Sequence, residues 1–137
     1  MKALTEFVGT FIFLFVISLA AVGDPKLAPF AIGLTLCAMV YMGGHWSGAH
    51  YNPAVSFALW LQKRMDSKDF FTYVAAQILA GILAFGLGNY LTEKTVTLGP
   101  QGTFSSTQAL IVEIIITMAL VLTVLNVAVS EKTEGKG

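Results

Sequence analysis

Apolar runs long enough to be membrane spans dominate this chain, and short polar or glycine-rich stretches separate them. Four runs, at about 3–22, 28–42, 70–91 and 108–130, approach the roughly 20 helical residues that cross a hydrocarbon core of about 30 Å. The second is short because a glycine-rich stretch, Gly43 to Tyr51, takes over. A further apolar piece, Pro53 to Leu61, reaches only about half of that thickness at about 1.5 Å per residue. It must re-enter, lie at the interface or bury against other helices. The pattern predicts an all-α membrane protein with four transmembrane helices and a re-entrant loop and half-helix over 43–61. It leaves no room for a soluble domain or a long linker.

Composition agrees with lipid as the solvent. The 137 residues are 55% hydrophobic and only 12% charged, too little polar surface to coat a soluble globule. A net charge of zero gives no basic footprint, so no nucleic-acid partner is expected. Glu6 in the first turn of the first run argues against a cleaved signal and for a retained span. If the half-helix dips and returns, Lys2, Lys63, Arg64, Lys68, Lys132 and Lys136 fall on one side, against Lys26 and Lys94 on the other. The positive-inside rule then predicts a multi-pass cell-membrane protein with both termini cytoplasmic. Cys37, the single cysteine, is expected as a small core residue.

The chemistry is concentrated in Gly43-Gly44-His45-Trp46-Ser47-Gly48-Ala49-His50-Tyr51-Asn52-Pro53-Ala54-Val55. Glycines here allow an extended chain, which is tolerated at membrane depth only where protein buries it or water meets it. Its carbonyls then form a ladder of acceptors along an aqueous path. Asn52 is placed to cap a helix whose first residue, Pro53, needs no amide donor. That half-helix directs its positive end at the membrane centre, where the Asn52 amide can donate to a neutral molecule while the dipole repels cations.

Ser47-Gly48-Ala49-His50-x-Asn52-Pro53-Ala54-Val55 resembles the first signature loop of the aquaporin and glycerol-facilitator family. Glu6-Phe7, Gly33-Leu34, Gly44-His45 and Gln77 also match that family's pattern, over essentially the whole chain. The resemblance implies an aquaporin-like fold of six spans and two half-helices meeting at paired Asn-Pro-Ala motifs, usually tetrameric with one pore per subunit. It implies that Asn52 is one of two amide donors at the pore centre and that carbonyls of Gly48, Ala49 and His50 line the cytoplasmic half of the path. It further implies that Glu6 and Glu113 are buried carboxylates holding the signature loops, with Gln77 and His45 among the loop's supports. Ile32, 20 residues before Asn52, falls where water channels of the family commonly carry phenylalanine, so glycerol and other small neutral solutes stay open beside water.

Glu113-x-x-x-Thr117 repeats Glu6-x-x-x-Thr10 after 107 residues, as an inverted-topology repeat would. A second Asn-Pro-Ala is then expected near position 159, beyond Gly137. Asn126-Val127-Ala128 lacks the proline and reads as ordinary helix. The expectation is therefore a partial channel, completed by a complementary second-half chain or assembled as a homo-oligomer as in the family; two copies completing each other is disfavoured, because parallel insertion does not supply the inverted half. The alternatives are a small proton-coupled exporter using Glu6, and a truncated product without activity. His45 and His50, five residues apart, do not share a helical face, so no metal site is expected, nor any cofactor or enzymatic activity. Trp46 and Tyr51 are expected as packing or interface aromatics, and Gly81, Gly86 and Gly88 as sites of close helix packing.

Overall fold

A computed structural model describes residues 1–96, 99–100 and 102–129. The helices are α1 (Lys2–Ala20), α2 (Ala28–Ser47), α3 (Pro53–Leu61), α4 (Ser67–Thr92) and α5 (Ser106–Val124), and a π-helical turn, Leu125–Val129, follows α5. Four of these helices are long and apolar enough to cross a membrane. The nine residues of α3 extend only about 13 Å.

The sequence explains the helix ends. Asp24 accepts from the Lys26 amide in the turn after α1, and Pro29 sits in the first turn of α2. Asp66 caps α4 by accepting from the Asp69 amide, which starts that helix three residues before the predicted 70. Ser105 and Gln108 form a reciprocal capping box at α5. The largest departure from expectation is in α2. It continues five residues past 42 to Ser47 and closes on a left-handed Gly48, whose amide bonds to the Gly44 carbonyl. Most of the stretch expected to be extended is therefore helical. The segment around Asn126, read as ordinary helix, is the π-helical turn; Ser130, the last residue of the fourth expected span, lies outside the described residues.

Helix α1 lies between α2 and α4 and packs against α4 along its length. Leu14 meets Gly81 and Ser18 meets Gly88, while Ala80 and Ala84 are fully buried. Gly86, expected to share in this packing, faces open space. A 2.7 Å ion pair between Lys2 and Asp69 places the starts of α1 and α4 on one side, so the two run parallel. Helix α3 packs on α4, and α5 packs on α3.

The burial pattern is inverted relative to a soluble protein. The interior holds Glu6, Thr10, Ser18, Ser47, His50, Ser56 and Gln77, while Phe30, Leu34 and Ile82 are each about two-thirds exposed. No residue in the apolar span of α5 is buried. Cys37, expected in the core, is exposed on the outer face of α2. An apolar exterior over a polar interior is stable only with lipid around it.

Candidate pore site around Glu6 and Asn52

The site begins with one carboxylate. Glu6, in the second turn of α1, is fully buried. Its Oε1 accepts from the Ser47 hydroxyl at 2.6 Å and from the His50 amide at 3.0 Å. Its Oε2 accepts from the Tyr51 amide at 2.7 Å and from Gln77 Nε2 at 2.8 Å. Four donors on two oxygens supply the partners a buried acid needs inside a span. The Ala49 amide donates to Ser47 Oγ at 3.1 Å.

Three consecutive amides, 49 to 51, therefore turn inward. Among the described residues, the carbonyls of Gly48, Ala49 and His50 accept no protein hydrogen bond. Turning successive amides the same way requires left-handed backbone, with φ of 87° at Gly48, 50° at Ala49 and 47° at Tyr51. The two non-glycine residues each cost about 1 kcal/mol or more, and the bonds to Glu6 offset that strain.

A further ring of contacts holds the loop. Gln77 Nε2 also donates to Ser56 Oγ at 3.1 Å, and that hydroxyl meets His50 Nδ1 at 3.0 Å. The Tyr73 hydroxyl donates to the Ser47 carbonyl at 2.7 Å, and its ring edge packs on His50. Tyr51 is buried with its hydroxyl donating to the Met39 carbonyl at 3.0 Å. Its ring fills a slot where a Cβ on Gly9 or Gly43 would overlap it. Gly43 thus admits a tyrosine ring to the helix surface, and it does so inside α2.

Asn52 follows with extended backbone. Its Oδ1 accepts from the Ala54 amide at 2.8 Å, which caps α3 ahead of Pro53. Its Nδ2 has no partner among the described residues. An open cleft of about 420 Å³ adjoins this amide, walled by Phe13, Ile78, Ile82 and Phe85. Thr10 Oγ1 and Gln77 Oε1, both buried and without a hydrogen-bond partner among the described residues, also belong to residues lining it. The lining residues come from the middle of α1 and of α4, so the start of α3 lies near mid-depth.

Thus Glu6, Gly48, Ala49, His50, Asn52, Pro53, Ala54 and Gln77 are brought together. Ile32 is half-buried near the opposite end of α2 from Gly48 and does not line the cleft. His45, expected to support the loop, is the third-last residue of α2. It is exposed, and its ring meets Trp46, because the continued helix turns it away from Glu6. Glu113, expected as a buried carboxylate, is exposed on α5 beside Gly99 and Pro100, since no described element covers that face. Ser56, Tyr73 and Gly9 were not singled out by the sequence. Tyr73 precedes Gln77 by one helical turn, a spacing that puts both on one face.

Four apolar helices long enough to cross a membrane, a loop tied amide by amide to a buried carboxylate and an apolar exterior define a multi-pass membrane protein. The model of the major intrinsic protein family matches residues 1–137, and the chain belongs to that family. It is 33% identical over 135 residues to a glycerol uptake facilitator protein-like 6 of Lactiplantibacillus plantarum, covering 92% of this chain and 62% of that one. It is 34% identical to aquaporin-4 of Bos taurus, over 83% of this chain and 37% of that one. Aquaporin AqpM of Methanothermobacter thermautotrophicus is 31% identical, over 83% and 49%. The chain thus spans between about a third and two-thirds of the length of these relatives.

Proposed function

We propose that this chain, as one partial channel domain over 1–137, builds one side of a passive transmembrane path for water and small neutral solutes such as glycerol. The observation that carries the reading is the divided amide of Asn52. Its oxygen is committed to capping α3, and its nitrogen is left to donate into a cleft at mid-depth. A neutral hydroxylic molecule can accept from that donor and give its own hydrogen to the carbonyls of Gly48, Ala49 and His50. The positive end of α3 disfavours cations at the same point. Relatives named as aquaporins and as a glycerol uptake facilitator agree with both solutes.

In this reading the protein lies in the cell membrane with both termini cytoplasmic, on the side of Lys2, Lys63, Arg64 and Lys68. The uncovered face of α5 and the open cleft beside Asn52 support a path that one copy does not close. A complementary chain then supplies the remaining wall, within a homo-oligomeric assembly, and Glu113 holds its counterpart of the signature loop. Ile32, at the other end of α2 from the cleft, contributes an aliphatic side chain to a separate constriction of the path.

The test is a chimera in which this chain replaces the matching region of the glycerol facilitator-like relative. It is reconstituted in liposomes and followed by stopped-flow light scattering under water and glycerol gradients. The chimera is expected to conduct, Asn52→Asp to abolish conduction, and this chain alone to match empty liposomes. An inserted chimera no more permeable than empty liposomes would overturn the channel reading. Conduction by this chain alone would overturn only the claim that one copy leaves the path open.

A further inference from the structure

The turn between α3 and α4 carries positive charge that the fold does not use. Helix α3 ends at Leu61, and the chain reverses through a left-handed Lys63, held by its amide bonding to the Trp60 carbonyl and by the Arg64 amide bonding to the Leu59 carbonyl. Lys63, Arg64 and Lys68 are exposed, and none has a carboxylate partner among the described residues. The two nearby acids are already engaged: Asp66 caps α4, and Asp69 pairs with Lys2.

The helix ends on either side of this turn carry an aromatic platform. Trp60 stacks on Phe70 with ring centres 4.9 Å apart, its indole donates to Ser67 Oγ at 3.1 Å, and Phe57 tilts against both rings. Leu61 and Phe71, which flank it, are 60% and 65% exposed. Apolar and indole surface at the same turn as three exposed cations is the combination found at a bilayer interface, where acyl chains meet headgroups.

We propose that this corner binds the headgroup of an anionic phospholipid, with Lys63, Arg64 and Lys68 taking the phosphate and the Trp60–Phe70 platform seating the upper acyl chains. The inference rests on the reading that the start of α4 lies at a membrane surface. A membrane lipid, as opposed to a free phosphate, is favoured because the platform would otherwise expose aromatic surface to water. Each cation near an anionic surface contributes about fivefold in affinity, equivalent to ~1 kcal/mol. Screening by salt reduces that contribution.

The sequence contains two tryptophans, so Trp46→Phe leaves Trp60 as the only indole. This variant is reconstituted in vesicles in which dibrominated phosphatidylglycerol or dibrominated phosphatidylcholine is mixed with its unbrominated form, and indole quenching gives relative lipid affinity. The expected result is a preference of about fivefold or more for phosphatidylglycerol at low salt. It should fall below about twofold at roughly 0.5 M salt, and in Lys63→Gln/Arg64→Gln/Lys68→Gln. Should the triple variant fail to insert, the salt titration and the single Arg64→Gln change decide. Equal quenching by both lipids, or a preference that neither salt nor charge removal alters, would overturn the proposal. Quenching by neither lipid would instead overturn the placement of this corner at the membrane.

Discussion

Replacing Glu6 with glutamine changes almost no volume and isolates the hydrogen-bond role of the carboxylate. The four donors meet its two oxygens in pairs, Ser47 and His50 on one, Tyr51 and Gln77 on the other. In Glu6→Gln one oxygen becomes an amide nitrogen facing donors. Placed toward Ser47, the nitrogen is accommodated by rotating the hydroxyl, but the His50 amide loses its acceptor. Placed toward Gln77, it is accommodated by flipping that side chain to present Oε1, but the Tyr51 amide is orphaned. Either arrangement leaves one buried amide unpaired, a cost of about 1–3 kcal/mol. The surviving bonds lose charge assistance, adding about 1 kcal/mol or more each, while relief of a buried charge returns part of the sum. A net loss of about 2–4 kcal/mol in loop stability is expected. Hydrogen exchange in detergent or nanodiscs reads this directly, because 1.4 kcal/mol corresponds to tenfold. The amides of residues 49 to 51 should exchange roughly thirtyfold to several hundredfold faster, with those of Ala80 and Ala84 in α4 little changed. A change under about threefold at 49 to 51 would refute the argument that Glu6 holds the loop.

Other predictions follow from close contacts. Gly9→Ala places a methyl group against the buried Tyr51 ring and should lower thermal stability in detergent by about 1–3 kcal/mol. Gly43→Ala meets the Tyr51 hydroxyl first, so Tyr51→Phe should recover part of its loss in a double-mutant cycle. Gly88→Ala runs into Ser18 and should destabilise the α1–α4 contact, whereas Gly86→Ala meets nothing and should be neutral to about 1 kcal/mol stabilising by circular dichroism melts. Ser105→Ala removes the capping box of α5 and should cost about 1 kcal/mol, seen as faster exchange in its first turn.

The spans, the half-helix and the Asn52 cap were legible because lipid imposes length and because an Asn-Pro pair can start a helix in few ways. Helix ends inside a glycine-rich stretch were not. Gly43 and Gly44 lower the helix propensity of their turn, yet the turn stays helical because the ring of Tyr51, eight residues away, needs the gap left by Gly43. That is a tertiary contact, and no local pattern reports it. Ser56 and Tyr73 escaped for a related reason: each is unremarkable until the loop folds back and gives it His50 or the Ser47 carbonyl to bond. Cys37 was misplaced by a rule drawn from soluble cores, which fails where the apolar exterior is the solvated surface.

Under the proposed channel function, the arrangement also links stability to permeation. A peptide plane has its N–H on one side and its C=O on the other, so drawing the amides of 49 to 51 onto Glu6 and Ser47 leaves the preceding carbonyls facing away from both. The bonds that offset the left-handed backbone are therefore the ones that aim the acceptors. A weaker anchor would return the loop toward ordinary dihedrals, and successive carbonyls would no longer share a direction. On this argument Glu6 acts without touching a solute, and a variant at position 6 should lose permeability in the chimera in proportion to its loss of amide protection at 49 to 51. Asn52→Ala should lose permeability while those amides keep their protection. If both variants shifted protection equally, the separation between the anchor at Glu6 and the donor at Asn52 would be wrong.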